Sequence, residues 1–213
     1  MDKLKAALNS KFLNNQDKKP LLKNYFFVIT IISVIVLLTV CFSLGFSSYP
    51  QGEIKGILWF FMAIRQDYVH HNIAHIVLNS ITAICVGFIL ERQVGSLKYF
   101  GLLLLSIILA PNIISLYRNN LNWGGYSNTN WMQYTWVFYI FALSCIHFKE
   151  NKFNFFTNLV PILFLFGSMF YPFNDITQIA IVNPAHWLNM LVGLGLLTIN
   201  LGYYHLRKYI LKK

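Results

Sequence analysis

Charge is what this sequence has least of. Only 11% of its 213 residues are Asp, Glu, Lys or Arg, and seven are acidic, whereas soluble domains average about 25% charged. So little charge cannot cover a water-facing surface. With 56% hydrophobic residues and a mean hydropathy of +0.53, the chain reads as an all-α membrane protein. Cysteine is scarce too: Cys41, Cys85 and Cys145 are the only three. An odd number without metal-ligand spacing excludes a disulfide framework, and all three fall in apolar stretches, where they read as small packing residues. Internal repeats, low-complexity segments and linkers long enough to separate a second domain are lacking as well. What is plentiful is cation, 17 Lys and Arg for a net charge of +10. In a soluble chain that excess would suggest nucleic acid. In a membrane chain it reports topology, and no nucleic-acid partner is expected.

Charged residues separate six apolar stretches and predict helices over 25–48, 70–90, 98–117, 127–147, 154–171 and 185–205. Each is near the ~20 residues needed to cross a bilayer. Six crossings put both termini on one side. All the cations except Lys55, Arg65 and Arg118 then fall on that same side, so the positive-inside rule places both termini in the cytoplasm. The opposite face, with Glu53, Asp67 and Asp175 in its loops, is formally neutral. The expected organisation is a basic cytoplasmic segment 1–24, a six-helix membrane domain 25–205 and a basic cytoplasmic tail 206–213. The apolar run after the first segment is too long for a signal-peptide core and reads as a retained anchor. The expected setting is a multi-pass protein of a bacterial plasma membrane.

Against this apolar background, polar residues inside the spans stand out, because burying them without partners costs several kcal/mol. The second span opens with His70, His71 and Asn72 and carries His75 and Asn79. The fourth follows Gly124-Gly125 and opens with Ser127, Asn128, Thr129 and Asn130, and the sixth with Asn183, Pro184, Ala185 and His186, then Asn189. All three helices run inward from the outer face, so their first turns can converge on one pocket there. His75 and Asn79, four apart, share a helix face and can donate hydrogen bonds to one point, although a lone bundle histidine is often only structural. Ser127 at a helix start reads either as an N-cap or as a hydroxyl beside free backbone N–H groups able to hold an oxyanion. His186 has the chemistry of a base for such a hydroxyl. Gly193, two turns further on, allows close helix approach. Trp131 is either an ordinary core- or lipid-facing aromatic or a ring stacked on the imidazole.

These residues resemble the rhomboid family of intramembrane serine proteases. His70-x4-His75-x3-Asn79 is similar to the family's second-span motif, and Glu91-x3-Gly95-Ser96 to the turn after it. Gly125-Tyr126-Ser127 is similar to the start of its GxSG motif, and Ala185-His186 with Gly193 to its last-span pattern. The resemblance implies a six-transmembrane-helix rhomboid-like bundle and a Ser–His dyad without cofactor or metal, acting on single-span membrane proteins within membrane lipid. Ser127 would be the nucleophile and His186 the general base. His75, Asn79 and the Ser127 backbone would bind the oxyanion, and His70 would maintain the watery pocket, which faces the extracytoplasmic side. Asn128 stands where the motif has its second glycine, Asn189 where the last span has one, and Phe61-Met62 where the first outer loop has Trp-Arg. The two asparagines motivate an alternative, an inactive relative that binds membrane helices without cutting. A metal site or proton-linked transporter built from His70, His71, His75 and His186 is a third reading, weakened by the lack of a carboxylate within the spans.

Overall fold

The computed structural model describes residues 27–44, 56–70, 72–121, 123, 125–149, 152–170 and 183–210. His71, Gly124, Glu53, Asp175 and the basic segment 1–24 lie outside the described residues. Every described element is a helix: α1 Val28–Leu44, α2 Ile57–Asp67, α3 Ile73–Val94, α4 Ser96–Arg118, α5 Ser127–Ile146, α6 Lys152–Met169 and α7 Pro184–Ile210. Ile73–Val94, Ser96–Arg118 and Pro184–Tyr203 are long and apolar enough to cross a membrane, and Val28–Leu44 and Phe155–Met169 are shorter apolar helices. Their outward faces carry Ile35, Leu104, Leu163 and Leu191, which suits contact with lipid rather than water.

Six helices coincide with the stretches predicted to be helical, and α2 does not. The segment from about Tyr49 to Val69 reads in sequence as an aromatic-rich loop, yet it contains an eleven-residue helix. At ~1.5 Å per residue α2 is too short to cross a bilayer. Its amphipathic sense is inverted, with Ile57, Leu58 and Phe61 exposed and Ala63, Gln66 and Asp67 buried. Asp67, a loop residue by sequence, is thus the fully buried last residue of a helix. The final helix also runs past 205 to Ile210, so the expected tail is helical over its first residues.

α5 is the central helix. It packs most extensively against α7 and also meets α3, α4 and α6. Trp131, Tyr134, Val137 and Ile140 of α5 share a core with Val86 and Leu90 of α3, Leu103 of α4 and Leu165 of α6. This enclosure lets its first turns be polar, because Asn128, Thr129 and Asn130 are covered by neighbouring helices. α1 is fastened by the buried Glu91 at the end of α3. One carboxylate oxygen accepts from the Ile29 N–H (3.1 Å) and Ser96 Oγ (2.8 Å), the other from the Thr30 N–H (2.9 Å) and Thr30 Oγ1 (2.7 Å). An anion is well placed there, since the first N–H groups of a helix have no partner within it and carry partial positive charge.

Candidate active site

The chain enters α5 through Gly125, whose φ of 113° favours glycine. A Cβ there would lie 2.6 Å from His75 Cε1, 2.8 Å from His75 Nε2 and 3.5 Å from Asn79 Nδ2. The His75 ring and the Asn79 amide therefore pack against bare backbone just before Ser127. Tyr126 occupies the cap position without a side-chain cap, and Ser127 is the first residue inside the helix. Its hydroxyl is thus not the cap that the simpler reading supposes. Ser127 Oγ lies 3.2 Å from His186 Nε2.

His186 is held from two directions. Asn183 Oδ1 accepts the Ala185 N–H at 3.1 Å and so caps α7, fixing where its first turn begins. The Trp131 ring, one turn beyond Ser127, stacks on the imidazole with centroids 4.6 Å apart and planes 11° from parallel. For the Ser127 hydroxyl to donate to Nε2, that nitrogen must be unprotonated, which puts the ring proton of neutral His186 on Nδ1. Below this level α5 and α7 approach closely. A Cβ on Gly193 would run into the Met132 carbonyl, while Thr135 Oγ1 donates to Met190 O at 2.8 Å and Trp136 Nε1 to Gly193 O at 3.2 Å.

His70 lies before α3 rather than on it. Its Nδ1 donates to Tyr68 O at 3.0 Å, leaving Nε2 to accept from Asn79 Nδ2 at 2.9 Å and from the Tyr126 N–H at 3.4 Å. One imidazole thereby ties the segment after α2 to α3 and to the turn holding Ser127. Cys41 Sγ is 3.3 Å from the same Nδ1, so this cysteine is more than a packing residue. Among the described residues no three His, Cys, Asp or Glu side chains converge as a metal site.

Several neighbours of the site escaped sequence reasoning. Gln66 O accepts the Gly125 N–H at 3.3 Å, the Gln66 amide nitrogen donates to Trp123 O at 3.0 Å, and Thr129 Oγ1 donates to Asp67 Oδ2 at 2.6 Å. The last turn of α2 thus grips the start of α5. Burial pushes the Asp67 carboxyl from its ordinary 3.8 up to about 8, against the opposing influence of Thr129 and Asn128. The two asparagines at expected glycine positions meet each other, Asn189 Nδ2 donating to Asn128 Oδ1 at 3.3 Å. Each is buried, so the α5–α7 interface at this level is a polar contact instead of a bare backbone approach.

A half-buried hydroxyl beside a stacked imidazole, at a helix N-terminus with glycine on one side, has the groups needed for acyl transfer. No curated protein and no solved structure matches the chain. The Rhomboid domain family model matches residues 59–203. With that match covering more than half of the chain, and with helices apolar enough to cross a membrane, the chain belongs to the rhomboid family, whose members are intramembrane serine proteases or inactive relatives of them.

Proposed function

We propose that this protein is an intramembrane serine endopeptidase that cleaves single-span membrane proteins in or near their transmembrane segments. The observation that carries the reading is the 3.2 Å contact between Ser127 Oγ and His186 Nε2, a separation at which a proton can pass. His186 takes the hydroxyl proton as Oγ attacks the scissile carbonyl carbon. The resulting oxyanion is held by the Ser127 N–H with help from His75 and Asn79, which flank Gly125. Collapse breaks the C–N bond, and His186 returns the proton to the leaving amine. Water, deprotonated by the same imidazole, then releases the acyl group from Ser127. Trp131 takes over the orienting task that a carboxylate performs in a triad.

The membrane topology belongs to the same proposal. α1, α3, α4, α5, α6 and α7 are six crossings, α2 lies beside them, and the basic segments 1–24 and 206–213 are cytoplasmic. The pocket then faces the extracytoplasmic side. Cleavage of a single-span reporter in liposomes tests the chemistry. Wild type cleaves, while Ser127→Ala and His186→Ala each lose at least about a thousandfold in rate. Equal cleavage by all three would sink the proposal.

A second reading, an inactive helix-binding relative, is favoured by the Asn128–Asn189 contact, which puts two side chains where the motif has glycines. It predicts that a client helix co-purifies uncut with wild type.

A further inference from the structure

The first outer segment lacks the Trp-Arg pair expected there, and the structure shows a different fastening in its place. Asp67 is fully buried, 62 residues from Thr129 in sequence, and 2.6 Å from its hydroxyl. Thr129 Oγ1 also lies 3.4 Å from Ser106 O of α4. The neighbouring Asn128 side chain bears on the same carboxyl and accepts from Asn189, one turn beyond His186 on α7. Asp67 thus sits where α2, α4, α5 and, through the two asparagines, α7 come together.

We propose that Asp67 is a positioning residue for the Ser127/His186 pair, setting the first turn of α5 against α4 and α7 through Thr129 and Asn128. The inference rests on the Ser127 chemistry proposed above. It explains why the asparagines are present: Asn128 Oδ1 is engaged by Asn189, which leaves its Nδ2 to face the carboxyl. Asp67 Oδ1 has no full hydrogen bond among the described residues, so that oxygen is the one placed to receive it.

The device has two protonation states. Donation from Thr129 Oγ1 to Oδ2 belongs to the ionised carboxylate. When Asp67 is neutral with its proton on Oδ2, the direction reverses: Oδ2–H donates to Thr129 Oγ1 and the Thr129 hydrogen turns to Ser106 O, so α2, α5 and α4 are joined in series. When Asp67 is ionised, Thr129 must turn its hydrogen to the carboxylate and the link to α4 is lost. A buried anion then also lies near the start of α5, where the reaction builds up an oxyanion. The carboxyl changes state at about 8. The titratable groups coupled to it are Cys41 of α1, Tyr68 of the adjoining turn and Tyr126 before α5. Burial raises both tyrosines, so they stay neutral across this range. His70 touches Cys41, and Arg65 donates to the Gln66 amide oxygen. From α4 the group that meets this network is the neutral carbonyl of Ser106.

The folded state keeps its proton up to about pH 8 and the unfolded chain loses it near 3.8, so stability falls as pH rises through that window. Asp67→Asn removes this dependence, and its NH2 can donate to Thr129 as the protonated acid does. The test measures kcat, KM and thermal midpoint for the full chain in liposomes between about pH 5 and 9.5, comparing wild type, D67N, D67A and S127A. Wild type is expected to lose kcat above pH 8, and D67N to keep a flat alkaline limb and a midpoint that falls less than that of wild type from pH 5 to 8. D67A should lower kcat about tenfold with KM within about twofold, and D67N should recover most of it. Superimposable alkaline profiles of wild type and D67N, or a D67A enzyme with wild-type kcat, overturn the assignment while leaving Ser127 in its role. If D67A does not fold, the wild-type and D67N profiles still decide. If S127A cleaves as fast as wild type, the underlying chemistry fails and this inference with it.

Discussion

At the scale of single residues, Gly125 shows how narrowly the site is specified. Two separate facts forbid a side chain there, a φ of 113° and the His75 ring 2.6 Å from where a Cβ would sit. Gly125→Ala should cost about 1–3 kcal/mol for the backbone conformation alone. Displacement of His75 should lower kcat/KM at least about tenfold even where the protein stays folded. Reporter cleavage alongside thermal unfolding separates the two effects. An alanine variant with wild-type kcat/KM would mean that His75 plays no role in the reaction. Much of this was legible in the sequence. Polar residues at helix starts in an apolar chain are conspicuous, and His75/Asn79 at i,i+4 and Trp131 one turn after Ser127 declare shared faces. Asp67, Thr129 and Cys41 were not legible as a group. A lone acid in a segment that reads as a loop, a threonine among asparagines and a cysteine in an apolar run acquire meaning only when folding brings segments tens of residues apart into contact.

At the scale of elements, the helices are anchored by a few charged or polar clasps set into apolar packing. Glu91 is the clearest, satisfying the Ile29 and Thr30 N–H groups together with two hydroxyls. Glu91→Ala leaves buried donors without partners and should cost about 3 kcal/mol or more. Glu91→Gln, which retains an acceptor, should cost less. Unfolding in mixed detergent micelles would measure both, and equal stability of wild type and Glu91→Ala would show that α1 is held by apolar contacts alone. The Glu91-x3-Gly95-Ser96 spacing pointed to this corner, and the structure supplies its physical reason, a carboxylate shared between the start of α1 and Ser96 at the start of α4. α2 escaped the sequence because its apolar residues face outward and its polar ones inward. A pattern sought for burial of the apolar face reads such a segment as a loop.

At the scale of the whole molecule, scarcity of charge and the apolar helices set the chain in a membrane. The apolar exterior suits lipid, and the polar groups around Ser127 gather at the end of the bundle where α3, α5 and α7 begin. Residues from three distant stretches of the chain meet there: Gln66, Asp67, His70, His75 and Asn79 in the first, Gly125 to Trp131 in the second, and His186 with Asn189 in the third. Only an intact fold assembles them, so the reactivity of one hydroxyl reports on the whole arrangement. The most direct measurement is covalent labelling of the purified protein with a fluorophosphonate, read as an intact-mass shift and mapped by peptide digestion. A Ser127/His186 dyad predicts one adduct per chain, on Ser127, abolished by Ser127→Ala and by His186→Ala. A folded wild-type protein that takes no adduct, or an adduct undiminished in His186→Ala, would contradict it.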